Sequence, residues 1–424
     1  MTDNSSLGDG PASSLFDQDD PEDQAFRPDP LAKIGDLAAA AGIRRVDMFA
    51  WRDLDHPEAG GSELHGGSIA ERWAAAGIEV TMTTSSFEGA SRTGHRDGYR
   101  VERPAGRYGI FPAVAGRRAV AHHLYSRLGR PARAPHSATV EIWNGMPFFS
   151  PVWSPQPRLV FLHHVHDGMW DLVLPKPLAA TGRFIESRLA PPVYRRTPIV
   201  TLSSSSRDAI VARLGFPAGQ VHVVEPGVDD YFRPGGTRSK VPLVVAVGRL
   251  VPYKRFDRLI EVLVSLRRRH PDLEAVIAGE GQERRALQEL VEHHQARSWI
   301  SLPGRIGDDA LVELYQRAWV LASSSAYEGW GLTITEAAAC ATPAVASPIA
   351  GHRDALEHGV GGYLAEPGRE MEARIDALVS DPLLRRRMQK AARRRADRLT
   401  WDRAALSTMR VLADQSRLPD VGVR

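Results

Sequence analysis

Cysteine is nearly missing. The chain of 424 residues holds one, Cys340, so no disulfide can form within it, which suits a reducing compartment. Set in an alanine-rich segment, Cys340 reads as a small core residue rather than a nucleophile. Long apolar runs are missing too: nowhere do about 18 apolar residues follow one another, so no segment reads as a membrane span. The first residues are acidic and polar, where a secretory leader starts basic and turns apolar. A surplus of one charge sign is also lacking. The formal net charge is +3, too balanced to argue for a nucleic-acid partner. Together these absences predict a cytoplasmic protein.

What is present is globular. Apolar residues make up 43% and charged residues 25% of a chain long enough for two ordinary domains. Residues 1–30 are rich in Asp, Ser, Gly and Pro and are expected to be disordered. From Ile43 onward, apolar strands alternate with amphipathic helices, as in Val244-Val245-Ala246-Val247 followed by Phe256, Leu259, Ile260, Leu263 and Leu266. That alternation predicts an α/β protein of two doubly wound, Rossmann-like domains. The expected division is 31–228 for the first domain and 229–404 for the second. A final helix is read at about 405–424.

One stretch organises the second half: Tyr327-Glu328-Gly329-Trp330-Gly331-Leu332, then Glu336 within an alanine-rich helix. It reads as strand end, glycine turn and helix start, where open α/β sheets bind ligands. On one helix, Glu328 and Glu336 would lie roughly 12 Å apart. Paired carboxylates that cleave a glycosidic bond sit about 5–9.5 Å apart. The spacing therefore favours two anchors on one extended ligand. Upstream, Gly248-Arg249 and Lys254 flank a loop between a strand and a helix, and two cations at a helix start suit a diphosphate. In the first domain, Gly60-Gly61 stands at another helix start, expected to be capped by Ser62 or a neighbour, with amides free for a ligand oxygen.

These motifs resemble the retaining family 4 glycosyltransferases of the two-domain GT-B fold: Glu328 and Glu336 match E-x7-E, and Arg249 with Lys254 matches Gly-Arg-x4-Lys. The resemblance covers about 43–404 and is looser in the first domain, and it implies that the last helix, about 405–424, crosses back onto the first domain. It implies a nucleotide-diphosphate sugar, UDP- or GDP-linked, as donor. Glu328 and the backbone of Gly329, Trp330, Gly331 and Leu332 would hold the sugar, Glu336 the ribose, Arg249 and Lys254 the diphosphate, Arg305 the base, and Gly60-Gly61 would approach the phosphates. At the end of Arg158–Leu162, His163-His164-Val165-His166-Asp167 carries the family's histidine. His166 matches best as a group at the reacting centre, with His163 and Asp167 in support. The residues implied at the reaction are thus His166, Arg249, Lys254 and Glu328, with the departing phosphate taking the acceptor proton.

No cofactor is then required beyond the co-substrate, and no metal, since two cations serve the diphosphate and no Asp-x-Asp was read at a strand end. Where relatives often have Gly before Thr-Pro, this chain has Ala341, a departure expected to affect packing only. The acceptor is expected to be a sugar, a small molecule or a lipid-linked or envelope glycan. Arg117, Arg118, His122, His123, Arg127, Arg130 and Arg133, with Val120, Leu124 and Tyr125 among them, suggest peripheral contact with an anionic membrane at its inner face. Two alternatives are a GT-B sugar-nucleotide epimerase and a non-catalytic nucleotide-sugar-binding protein.

Overall fold

A computed structural model describes residues 29–117, 136–154, 157–166, 169–173 and 175–417. Asp167, the N-terminal tail through residue 28 and the basic segment beyond Arg117 lie outside these residues.

Short, buried, β-branched runs form two sheets. The first has eight strands: β1 (Arg45–Phe49), β2 (Glu79–Ser86), β3 (Thr93–Arg96), β4 (Tyr99–Gly106), β5 (Ser137–Ile142), β6 (Arg158–Phe161), β7 (Ile199–Thr201) and β8 (Val221–Val223). Their order is β3-β4-β2-β1-β5-β6-β7-β8. Only the β3–β4 pair is antiparallel. The second sheet is wholly parallel, with β9 (Leu243–Val247), β10 (Glu274–Ala278), β11 (Ile300–Gly304), β12 (Val320–Ser323), β13 (Ala344–Ala346) and β14 (Gly362–Leu364). It runs β11-β10-β9-β12-β13-β14. Both are doubly wound. Strand order reverses between β1 and β5 and between β9 and β12, and ligands bind at the carboxyl ends of strands at such points. The segments that follow β1, β9 and β12 come together between the two sheets.

Each sheet has its own apolar core. The last helix, Trp401–Arg417, leaves the second domain and packs Trp401, Ala404, Ala405, Met409 and Leu412 into the core of the first. The Trp73 indole donates to Ala405 O at 3.1 Å. This crossing passes so near Gly227 that an added Cβ there would meet the Trp401 backbone N at 2.1 Å.

Helix Asp308–Arg317 begins after Gly307, with no side chain capping it. Helix Lys176–Phe184 continues through one π turn, Ile185–Leu189, into Ala190–Val193. Among the described residues, no helix is long and apolar enough to cross a membrane.

Candidate functional site

In the second domain the two loops at the switch point are fixed by backbone packed on backbone. A Cβ on Gly279 would lie 1.8 Å from Gly248 O, and one on Gly281 2.3 Å from Leu250 O. Leu250 N donates to Glu280 O at 2.8 Å. Arg249 leaves this loop, and its Nη2 donates to the Tyr253 hydroxyl at 2.7 Å. Lys254 closes a single 3-10 turn, Pro252–Lys254, ahead of helix Phe256–Arg267. Ala326 N donates to Tyr253 O at 2.7 Å, and Ser324 Oγ to Arg255 O at 2.8 Å, which ties this turn to the loop after β12.

The tie brings together what the sequence separates. Lys254 Nζ donates to Glu328 Oε1, which also accepts from Ser325 Oγ at 2.9 Å. Burial pushes the Glu328 carboxyl up, but the Lys254 ammonium, His352 and the hydrogen bonds outweigh it and hold the group below its ordinary value. Glu336, on helix Leu332–Ala339, is not on the same helix as Glu328. Burial raises it to about 7 against the opposing hydrogen bond from the Tyr315 hydroxyl, 2.8 Å away. Gly331 starts that helix at φ 108°, a conformation that suits glycine. The Trp330 ring is in the core, its indole bonded to Thr335 Oγ1 at 2.8 Å, so only its backbone is available to the cleft. Arg305 is exposed just past β11.

The first domain meets this surface closely. A Cβ on Gly60 would lie 3.6 Å from Arg249 Nε, and one on Gly61 3.1 Å from Leu332 Cδ1. The helix start needs correction, however. Gly60, not Ser62, is the cap of Gly61–Ala75, and the Gly60 N–H is not free: it donates to Glu63 Oε2 at 2.8 Å. Arg52 Nε holds the other Glu63 oxygen at 3.2 Å, with both side chains buried. Ser62 Oγ instead accepts from Asn144 Nδ2 at 2.9 Å. A second correction concerns Asp-x-Asp. One does follow β1, Asp53-Leu54-Asp55, but Arg103 pairs with both carboxylates at 2.7 Å each.

The histidines part company. His163 Nε2 lies 3.1 Å from His65 Nδ1, deep in the domain. Burial, helped by His164 and His166, lowers His163 to about 3, so it is neutral at ordinary pH. His166 Nδ1 lies 3.0 Å from Glu186 Oε1, and its Nε2 lies 3.2 Å from Asn144 Oδ1. His164 Nε2 is buried and meets no hydrogen-bond partner among the described residues. Its ring stands 4.4 Å from that of His166 and close to Gly329, where a Cβ would lie 3.4 Å from His164 Nδ1. Among the described residues, no three His, Cys, Asp or Glu side chains gather as a metal site.

Sequence reasoning missed Glu186, Asn144, His65 and the Arg52–Glu63 pair. Glu63 was legible, standing three residues after Gly60 at capping-box spacing. The others meet across long stretches of chain and left no local signal.

A family model described as glycosyl transferases group 1 matches residues 228–395, and one described as glycosyltransferase family 4 matches 59–232. A D-inositol 3-phosphate glycosyltransferase of Kribbella flavida is 32% identical over 240 residues, 49% of this chain and 54% of that protein. The chain spans about half the length of the curated relatives it matches. Among solved structures, a sucrose-phosphate synthase from Thermosynechococcus elongatus superposes with a TM-score of 0.70 at 21% identity, covering 86% of this chain and 97% of that one. Anabaena HepE in complex with UDP and glucose gives 0.68 at 20%, covering 88% and 100%.

Proposed function

Because the chain belongs to the family 4 glycosyltransferases of the GT-B fold, we propose that it moves a sugar from a nucleotide-diphosphate donor to an acceptor hydroxyl with retention at the anomeric carbon. The observation that carries this is the pairing of Lys254 with Glu328 beside Arg249, at the switch point and facing Gly60-Gly61. When the donor binds, its diphosphate takes Lys254 and Arg249, and Glu328 is released to accept from sugar hydroxyls. Charge that develops on the leaving diphosphate then meets two fixed cations, which is electrostatic stabilisation of the transition state. Glu336 accepts from the ribose, and Arg305 lies at the base. UDP is the favoured nucleotide, because the similar Anabaena fold holds UDP. His164, whose Nδ1 side stands beside Gly329 and whose Nε2 has no partner among the described residues, contacts the donor sugar. His166 stands behind it on the acceptor side.

The acceptor is proposed to be a glycan or lipid-linked hydroxyl at an inner membrane face, reached through the basic 117–133 segment. Co-sedimentation with liposomes, with and without anionic lipid, tests that contact; equal binding at low salt removes it.

The donor reading is tested by thermal shift with UDP, GDP and ADP on wild type and Lys254→Ala. A hundredfold excess over Kd stabilises by about 2.7 kcal/mol. One nucleotide should stabilise the wild type, and the variant should lose that shift together with about a hundredfold or more in turnover. Full activity in Lys254→Ala would sink the assignment. Donor consumed without acceptor, and epimerised rather than cleaved, would turn the reading to an epimerase. NMR of the product's anomeric proton decides retention.

A further inference from the structure

We propose that Glu186 is a positioning residue for His166, holding its ring so that the Nε2 edge meets Asn144 at the cleft, and that Glu186, His166, Asn144 and Ser62 form one hydrogen-bonded chain that sets the acceptor-side wall. The step this wall serves rests on the transfer reaction proposed above; the chain itself rests on geometry alone.

Glu186 is 2% exposed, yet among the described residues no Arg or Lys stands against it. Its partners are three donors from two residues, His166 and Trp170. His166 N donates to Oε1 at 3.1 Å, His166 Nδ1 lies 3.0 Å from the same oxygen, and Trp170 Nε1 donates to Oε2 at 3.0 Å. Burial alone would push the carboxyl up. The hydrogen bonds from His166 and Trp170 outweigh it and hold Glu186 below its ordinary value, so it is an anion. An anion beside Nδ1 places a proton there and fixes the rotation of the ring. Nε2 is then turned to Asn144 Oδ1 at 3.2 Å, an acceptor, so both contacts are hydrogen bonds when the ring carries a proton on each nitrogen. Asn144 Nδ2 donates onward to Ser62 Oγ at 2.9 Å, on the first turn of the glycine-loop helix.

The backbone is shaped for this contact. Helix 176–193 is interrupted by the single π turn Ile185–Leu189. Such turns arise from one extra residue and recur at functional sites. The wide turn swings Glu186 inward while Ser187, Arg188 and Leu189 stay exposed. A carboxylate needed only to brace the loop would be satisfied by the His166 amide and the Trp170 indole; the ring contact is additional. Among the described residues, the titratable groups near His166 are Glu186, His164 and His163, and the Trp170 ring, 5.7 Å away, and Asn144 also border it. Asn144 follows β5 at the first domain's switch point, so the chain ends where an acceptor must enter.

Glu186→Gln keeps the shape and an acceptor oxygen but removes the charge. Two readouts on the full chain test it. The first is nitrogen NMR of histidine-labelled protein, with His166 assigned by His166→Ala. In wild type, Nδ1 of His166 should carry the proton, and in Glu186→Gln the His166 signals should move while those of His65 stay. Unmoved His166 signals overturn the proposal, whatever the enzyme's substrate. The second is nucleotide release from UDP-glucose and GDP-mannose. Glu186→Gln should lose about 10–100-fold in kcat, as supporting partners of a working imidazole do, with donor KM unchanged. On a His166→Ala background it should add no loss, because the two act as one unit. Equal losses on both backgrounds overturn it. If wild type releases nucleotide from neither probe, the transfer reading is in trouble and the NMR readout still decides the positioning. If Glu186→Gln does not fold, Glu186→Asp keeps the charge and withdraws it by one methylene, with the same expectations in the same cycle.

Discussion

The two domains share a topology and fix their cleft loops by opposite means. In the second domain, glycines let strands of backbone lie directly on one another: Gly279 on Gly248, Gly281 on Leu250, and Gly351 on Trp330, where a Cβ would sit 2.8 Å from the backbone N. In the first domain the corresponding loops hang on buried charge: Arg52 on Glu63, Arg103 on Asp53, and Glu186 against His166. Steric contact has one solution and tolerates no added atom. Charge pairs can be exchanged for other side chains of similar shape. On the proposed reaction, the difference suits a division of labour in which the half that would hold the donor is rigid, because a donor's diphosphate and ribose do not vary, and the half that would meet the acceptor is free to be re-tuned.

The largest effect should come from breaking the steric side. In Gly279→Ala the new methyl would stand 1.8 Å from Gly248 O, at a backbone φ of 148° that disfavours a side chain. Neither backbone can yield without displacing the Arg249 loop. A loss of more than about 3 kcal/mol in urea unfolding is expected, with nucleotide-induced stabilisation abolished; a variant as stable as wild type would mean these loops are not packed as described. The charge side should break almost as badly but be repairable. Arg103→Met leaves Asp53, 3% exposed, without its cation, for an expected cost of about 3–5 kcal/mol. Adding Asp53→Leu should recover most of it. Failure of the double variant to recover would erase the contrast between the halves.

That contrast also explains what was legible beforehand. Strands and helices alternate with periods that the residues carry locally, so both sheets were readable. So was the placing of Arg249 and Glu328 beside glycines in the loops after strands, with Lys254 and Glu336 a few residues further on. The Lys254–Glu328 pair was not, because side chains 74 residues apart meet only through the zipper between the two loops. In the first domain almost nothing that holds the site is local. Glu186 lies 20 residues from His166, on a π turn that no helical period announces. His65 lies 98 residues from His163. Even Gly60-Gly61, placed correctly at a helix start, was read as offering a free amide that Glu63 in fact occupies.

A smaller effect separates the two glutamates of the donor half by pH. Glu336 is raised to about 7 by burial. A raised carboxyl keeps its proton in the folded state, so its contribution is fully present below the unfolded value. It is lost as pH climbs from the ordinary carboxylate range to about 7, with a slope of up to about 1.4 kcal/mol per pH unit. Glu328 runs the other way: held low, it stabilises above the ordinary carboxylate range and loses that contribution as pH falls through its folded value. Stability measured between pH 5 and 8 should therefore decline less steeply in Glu336→Gln than in wild type. Parallel curves would show that burial does not keep Glu336 protonated against the Tyr315 hydrogen bond.

The smallest expected effect is a gain, and it corrects the reading of Ala341 as a matter of packing. Helix Leu332–Ala339 ends with Cys340 as its cap. Ala341 N then bonds to Ala338 O at 2.9 Å and Thr342 N to Ala337 O at 2.8 Å, with Ala341 at φ 55°. This is a Schellman ending, whose left-handed position favours glycine because a Cβ crowds the backbone there. The chain compensates from outside: the Arg238 guanidinium gathers the Tyr315 and Cys340 carbonyls at 3.2 Å each, and those of Ala318 and Ala341 as well. Ala341→Gly should relieve about 1–2 kcal/mol of strain and return about 0.4–1 kcal/mol as unfolded-state entropy. A small net rise in melting temperature follows, with nucleotide binding untouched because the clasp uses backbone carbonyls that glycine keeps. A fall instead would mean that the methyl contributes packing worth more than the strain. Even in the glycine-built half, then, one turn is held much as the other domain holds its loops, by a cation, here the half-buried Arg238.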